Sequence, residues 1–215
     1  MNVPELVATA WLIFRPYALE TLAVAWGILT VWLTVRQNNW CWPVGSLSNA
    51  LFAVIFFREK LYADMALQVV YIGLNAYGWY EWRYGGSNRG ALPVARTPAH
   101  ARLALAALSA AGITALTLYL ARLTDASLPF WDATTTVLSL AAQYMLARKW
   151  IENWWVWITV NVLYIGVYAV KGLYLTSAQQ LVFIALSVVG FLAWRKELLG
   201  RAPAPSAPPS LAADA

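Results

Sequence analysis

The chain has 215 residues, 61% of them hydrophobic and 12% charged, with a formal net charge of +5. Soluble domains carry about 25% charged residues, so this composition excludes a water-soluble globule and implies an all-α integral membrane protein. A single cysteine, Cys41, excludes an internal disulfide, and a single histidine, His100, excludes a histidine-rich metal cluster, so neither metal nor cofactor is expected.

In chain order, residues 1–17 begin MNVPELVATAWLIF, where Pro4 and Glu5 replace the basic start of a signal peptide; an interfacial segment is expected. Apolar runs follow at 18–36, 40–57, 62–82, 102–121, 130–147, 153–170 and 177–194, each near the roughly 20 residues that cross hydrocarbon. Period-2 alternation is absent, so these read as seven transmembrane helices rather than barrel strands. Residues 18–84 form a first three-helix bundle, 85–129 a basic loop and a linker helix, and 130–195 a second three-helix bundle. The Pro/Ala/Ser-rich stretch 196–215 cannot bury a core and is expected to be disordered.

The two bundles repeat one pattern at an offset of 112 residues (154 − 42), matching Arg36/Arg148, Trp42/Trp154, Asn49/Asn161, Tyr62/Tyr174, Gln68/Gln180, Gly78/Gly190 and Trp82/Trp194. Tryptophan, asparagine and glutamine in register are not a product of apolar composition, and internal repeats are a mark of transporters. Three spans reverse direction across a membrane; a fourth restores it. The helix at 102–121 therefore makes a three-plus-one-plus-three layout in which the bundles run parallel about an axis along the membrane normal, as in SWEET transporters. Its small residues, Ala104, Ala107, Ala111, Gly112 and Ala115, permit close packing on a neighbouring helix or subunit.

Lys and Arg are scattered among loops rather than gathered on one stripe, so no nucleic-acid partner is expected. Arg36, Arg83, Arg89, Arg96, Arg102, Arg148, Lys149, Arg195, Lys196 and Arg201 fall on one side of the spans, and Arg15, Arg58, Lys60, Arg122 and Lys171 on the other. The positive-inside rule then puts the N-terminus outside and the C-terminus in the cytoplasm.

A substrate site is expected between the bundles near midplane. In the sixth span Trp154, Trp157, Asn161, Tyr164 and Tyr168 recur at spacings of 3, 4, 3 and 4, which places them on one helical face. A flat ligand can stack on such rings while the Asn161 amide reads its polar edge. The competing reading makes Trp154 and the tyrosines interface anchors and Asn161 a helix-to-helix hydrogen bonder. The repeat adds Asn49, opposite Asn161, and Gln68, matched by Gln180; Gln143 stands where the first copy has Val31. Gly45 faces the position of Trp157 in the repeat, so a ring-sized gap and an asymmetric site are expected, with the second copy making most contacts. Glu20 and Asp132 lie at the outer ends of the first and fifth spans, where they steer a cation or simply complement a helix dipole. No carboxylate is expected at midplane, which favours uncoupled, facilitated diffusion.

The motif ENWWVWITVN at 152–161, followed by Tyr168 and Lys171-Gly172-Leu173-Tyr174, and the WPVG of 42–45, resemble the PnuC family of vitamin-precursor transporters across all seven spans. The resemblance implies uptake of nicotinamide riboside across a bacterial inner membrane, trapping by a cytoplasmic kinase, and a homotrimer. Relatives carrying thiamine or riboflavin leave those substrates open. The substrate chemistry agrees with the residues: a cationic pyridinium lies over Trp or Tyr faces, and Asn and Gln bond amide and ribose hydroxyl groups. A membrane enzyme acting on a lipid is the alternative of a different class, but it needs paired carboxylates, histidines or a metal, and none converges.

Overall fold

The computed structural model of the protein describes residues 22, 24–58, 62–124, 126–170 and 174–200. The expected interfacial segment 1–17 and Glu20 lie outside the described residues, as does the tail from 201. Among the described residues the chain forms α1 (Val24–Val35), α2 (Cys41–Arg58), α3 (Tyr62–Tyr84), α4 (Ala99–Leu123), α5 (Pro129–Ala147), α6 (Asn153–Val170) and α7 (Tyr174–Gly200). Among the described residues an isolated parallel bridge pairs Ala95 with Trp150. The last helix runs on to Gly200, past the bundle limit of 195 expected from sequence.

α4 is by itself long and apolar enough to cross a membrane, and shorter apolar helices run Val24–Val35 and Cys41–Ile55. At about 1.5 Å per residue, the 18 residues of α6 reach roughly 27 Å, close to the hydrocarbon thickness of about 30 Å. Hydroxyls on these helices bond backward to their own backbone: Thr30 donates to Trp26 O at 2.7 Å, Thr34 to Thr30 O at 2.8 Å and Thr134 to Phe130 O at 2.7 Å. Pro129 occupies the first turn of α5, where its missing N–H costs nothing.

α2 packs on α3 and α6 on α7 as two hairpins; α5 joins them by touching α3, α4 and α6. α4 contributes no buried residue, and its Gly112 lies against Val137 of α5.

The helical turns between α1 and α2 and between α5 and α6 are built alike. Gln37 N bonds Thr34 O at 2.9 Å and Lys149 N bonds Leu146 O at 2.9 Å; Trp42 N bonds Asn39 O and Trp154 N bonds Ile151 O, both at 3.3 Å. Gln37 and Lys149 both have positive φ, 53° and 50°, the left-handed backbone that usually caps a helix with glycine. Their side chains explain why glycine is absent. Lys149 Nζ donates to Gln37 Oε1 at 3.2 Å, and Gln37 Nε2 donates to Glu197 Oε2. Lys149 is 6% exposed, and its ammonium also sits 4.4 Å from the centre of the Trp82 ring.

Four buried tryptophans close this end of the bundle. Trp42 meets Trp82 edge-on at 5.2 Å, Trp154 meets Trp194 edge-on at 5.3 Å, and Trp82 and Trp194 touch each other at 5.8 Å. The exchange between halves is reciprocal: Trp82 Nε1 donates to Leu146 O at 3.0 Å, and Trp194 Nε1 to Thr34 O at 3.3 Å. The loop after α3 straps across the cluster. Leu92 N bonds Trp82 O, Ala95 N bonds Lys149 O, and Thr97 places both its N–H and its hydroxyl on Glu152 Oε2 at 2.8 and 2.7 Å. At the edge, Arg148 bridges to Glu81 at 2.8 Å and donates to the Tyr77 hydroxyl at 3.4 Å. The Tyr77 hydrogen bond, then the Glu81 carboxylate, push the pKa of Arg148 up and keep it charged.

The repeated glycines follow from this packing. A Cβ on Gly78 would lie 2.3 Å from the Trp42 ring, and one on Gly190 would lie 2.5 Å from the Trp154 ring. Both rings are rigid and enclosed. Gly190→Ala is therefore expected to destabilise the fold by about 1–3 kcal/mol, the range for overpacking. A thermal melt of the purified variant checks this; an unchanged midpoint would mean the ring has room to move.

Candidate functional site

Above the tryptophan cluster, between the two hairpins, lies a cavity of about 340 Å³. Six helices supply its wall, and most wall positions come in pairs 112 residues apart: Gly27/Ser139, Val31/Gln143, Thr34/Leu146, Trp42/Trp154, Asn49/Asn161, Phe52/Tyr164, Gln68/Gln180, Tyr71/Phe183 and Asn75/Ser187. Helical periodicity explains the selection. In α6, Trp154, Trp157, Asn161 and Tyr164 share one face, and in α3, Gln68, Tyr71 and Asn75 do the same at spacings of 3 and 4.

Seven residues expected at the site reach this wall: Trp154, Trp157, Asn161, Tyr164, Asn49, Gln143 and Gln68. The eighth, Tyr168, has its backbone in α6, but its side chain lies outside the described residues. Within the wall their situations differ. Trp154 is 2% exposed, packed on Gly190 and edge-on to Trp194, so its ring serves mainly as floor. Trp157 lies one turn higher and is only partly buried. Asn161 is 6% exposed at mid-helix. Gln143 Nε2 donates to Asn75 Oδ1 at 2.8 Å, tying α5 to α3 across the chamber.

One expectation is corrected here. Gly45 does not open a ring-sized gap opposite Trp157: a Cβ at Gly45 would come within 3.0 Å of Thr30 Cγ2 and 3.3 Å of Asn75 Nδ2. The missing side chain lets α1 and α3 approach, and Thr30 and Asn75 fill the space. Asymmetry in the wall comes instead from Val31 opposite Gln143 and Phe52 opposite Tyr164.

Ser139 and Ser187, in-span hydroxyls, also line the chamber, as do Thr30, Tyr71 and Phe183, which were not singled out from sequence. Tyr71/Phe183 was findable, since the pair keeps the offset and stands one turn from Gln68/Gln180. Ser139 Oγ is buried with no hydrogen-bond partner among the described residues, so its hydroxyl is available to a guest or a water.

No described residue of the wall is Asp, Glu, Lys, Arg or His. Such a chamber offers aromatic faces, amide dipoles and hydroxyls, which suits a flat polar ligand and places any positive charge over π-electrons rather than against a carboxylate. Asp132 stands in the first turn of α5, away from the wall.

The sequence matches the nicotinamide mononucleotide transporter family over residues 17–196. The chain belongs to that family. Among its relatives, the nicotinamide riboside transporter PnuC of Escherichia coli is 26% identical over 201 residues, covering 82% of this chain and 84% of the relative. The riboflavin/roseoflavin transporter RibM of Streptomyces davaonensis is 28% identical over 171 residues, covering 78% and 80%. The crystal structure of the vitamin B3 transporter PnuC superposes with a TM-score of 0.70 at 25% identity, covering 90% of this chain and 87% of that one. The resemblance carried by ENWWVWITVN is borne out at the level of family and fold.

Proposed function

We propose that this protein carries nicotinamide riboside across a bacterial inner membrane, working as a transporter and not as an enzyme. The observation that carries this reading is the chamber itself: amides and aromatic rings from both halves, with no charged side chain among its described residues. The pyridinium lies over Trp157 and beside Tyr164, its carboxamide pairs with Asn161 and Asn49, and ribose hydroxyls reach Gln143 and Gln68. Trp154 forms the floor.

The seven helices span the bilayer as two parallel trios joined by α4, with the N-terminus outside and the C-terminus in the cytoplasm. Reciprocal Trp82 and Trp194 hydrogen bonds support an axis relating the trios, since each half repeats the contact it receives. The trios rock about the chamber, and the tryptophan cluster with its strap forms the cytoplasmic closure. Flux follows the gradient of substrate without coupling to protons or sodium, and a cytoplasmic kinase keeps the gradient inward by phosphorylation. The working unit is a homotrimer in contact with membrane lipids, α4 offering a face of small residues.

Riboflavin is the second reading, favoured by the similarity to RibM. Ligand chambers run from roughly 300 to 1,000 Å³, so 340 Å³ suits a single ring and a ribose better than a three-ring flavin. Uptake into liposomes holding the purified protein separates these substrates. Nicotinamide riboside is expected to enter to equilibrium, faster than thiamine or riboflavin, with the same rate under imposed proton or sodium gradients. Preference for riboflavin would replace the substrate, and strong stimulation by either ion gradient would overturn the uncoupled mechanism.

A further inference from the structure

Beside the strap, outside the transport chamber, lies a second cavity of about 250 Å³. Arg96 from the loop and Arg195 from α7 stand at its wall with Glu152, over an apolar bed that includes Trp155, Phe191 and Leu198. The charge balance is cationic, two guanidinium groups to one carboxylate, and Glu152 already accepts two hydrogen bonds from Thr97. Trp155 is 55% exposed and stacks at 5.1 Å, tilted, on Phe191. A site with this make-up recognises a negatively charged phosphodiester joined to an apolar body.

The position agrees. The cavity sits at the start of α6 and the end of α7, which is the side where Lys and Arg accumulate, and exposed tryptophan is the residue of membrane interfaces. It is only partly duplicated: 112 residues before Arg195 and Phe191 stand Arg83 and Trp79, but Trp155 and Leu198 have Pro43 and Gly86 there, and among the described residues one strap alone brings an arginine, Arg96. We infer that this cavity binds the headgroup of an anionic phospholipid of the inner leaflet, Arg96 and Arg195 holding the phosphate and Trp155 and Phe191 the glycerol region. The inference rests on reading the chain as membrane-embedded.

Native mass spectrometry of the purified protein with equal amounts of phosphatidylglycerol and phosphatidylcholine tests it. At about fivefold per basic residue near a membrane surface, partly offset by Glu152, the wild type is expected to retain the anionic lipid about tenfold more. In R96Q/R195Q that preference falls to near parity, while R83Q/R89Q, which removes equal charge elsewhere on the same side, keeps it. Parity in the wild type, undiminished preference in R96Q/R195Q, or equal loss in R83Q/R89Q would each overturn the site. Displacement of the lipid by millimolar inorganic phosphate would also overturn it, by making the ligand a free anion. Should R96Q/R195Q fail to fold, the wild-type and R83Q/R89Q arms decide. Intact nicotinamide riboside binding without lipid preference would end this proposal alone, and lipid preference without nicotinamide riboside binding would end only the transport reading.

Discussion

Replacing Trp157 with alanine is expected to weaken nicotinamide riboside binding about 30-fold, the equivalent of the roughly 2 kcal/mol of a desolvated cation–π contact. The melting point should hardly move, because Trp157 is partly buried at the chamber wall and, among the described residues, joins none of the packed ring pairs of the tryptophan cluster. Isothermal titration calorimetry beside a thermal melt reads both quantities on one sample. Asn161→Ala is expected to follow the same pattern with a smaller loss, about tenfold, corresponding to one or two amide hydrogen bonds. Wild-type affinity in both variants would place the ligand elsewhere.

Trp154→Ala, three residues away on the same helical face, should behave in the opposite way. Its ring fills the notch at Gly190 and meets Trp194 edge-on, so truncation leaves a cavity under the chamber floor. Large-to-small replacement of a buried Trp costs about 3–5 kcal/mol, and at roughly 2–4 °C per kcal/mol for a chain of this length the midpoint should fall by about 6–20 °C. Affinity measured on the folded fraction at low temperature should fall less than for Trp157→Ala. A stable Trp154→Ala that binds nothing would exchange the roles given to the two tryptophans.

This contrast shows what sequence could and could not reveal. The α6 stripe was legible because its spacing of 3, 4 and 3 is that of a helix, and the pairing of Asn49 with Asn161 and Gln68 with Gln180 followed from the offset. Trp154 and Trp157 stand on the same stripe, however, and only packing separates them: the glycine facing Trp154 lies on another helix. Gly45 misled for a related reason. A missing side chain suggests empty space, but here it let Thr30 and Asn75 move in. Lys149 could be counted as a basic loop residue from sequence, whereas its placement over Trp82 and beside Gln37 depends on a contact between halves. The seven helices were legible from the apolar runs, and among the described residues α4 meets the length and apolarity of a membrane span.

The most direct measurement is a structure of the purified protein with nicotinamide riboside bound. The ligand's ring is predicted to lie over Trp157, within the chamber shared by the two halves, its carboxamide within hydrogen-bonding distance of Asn161 or Asn49. A ligand found outside that chamber, or within it but clear of all three side chains, would contradict the account.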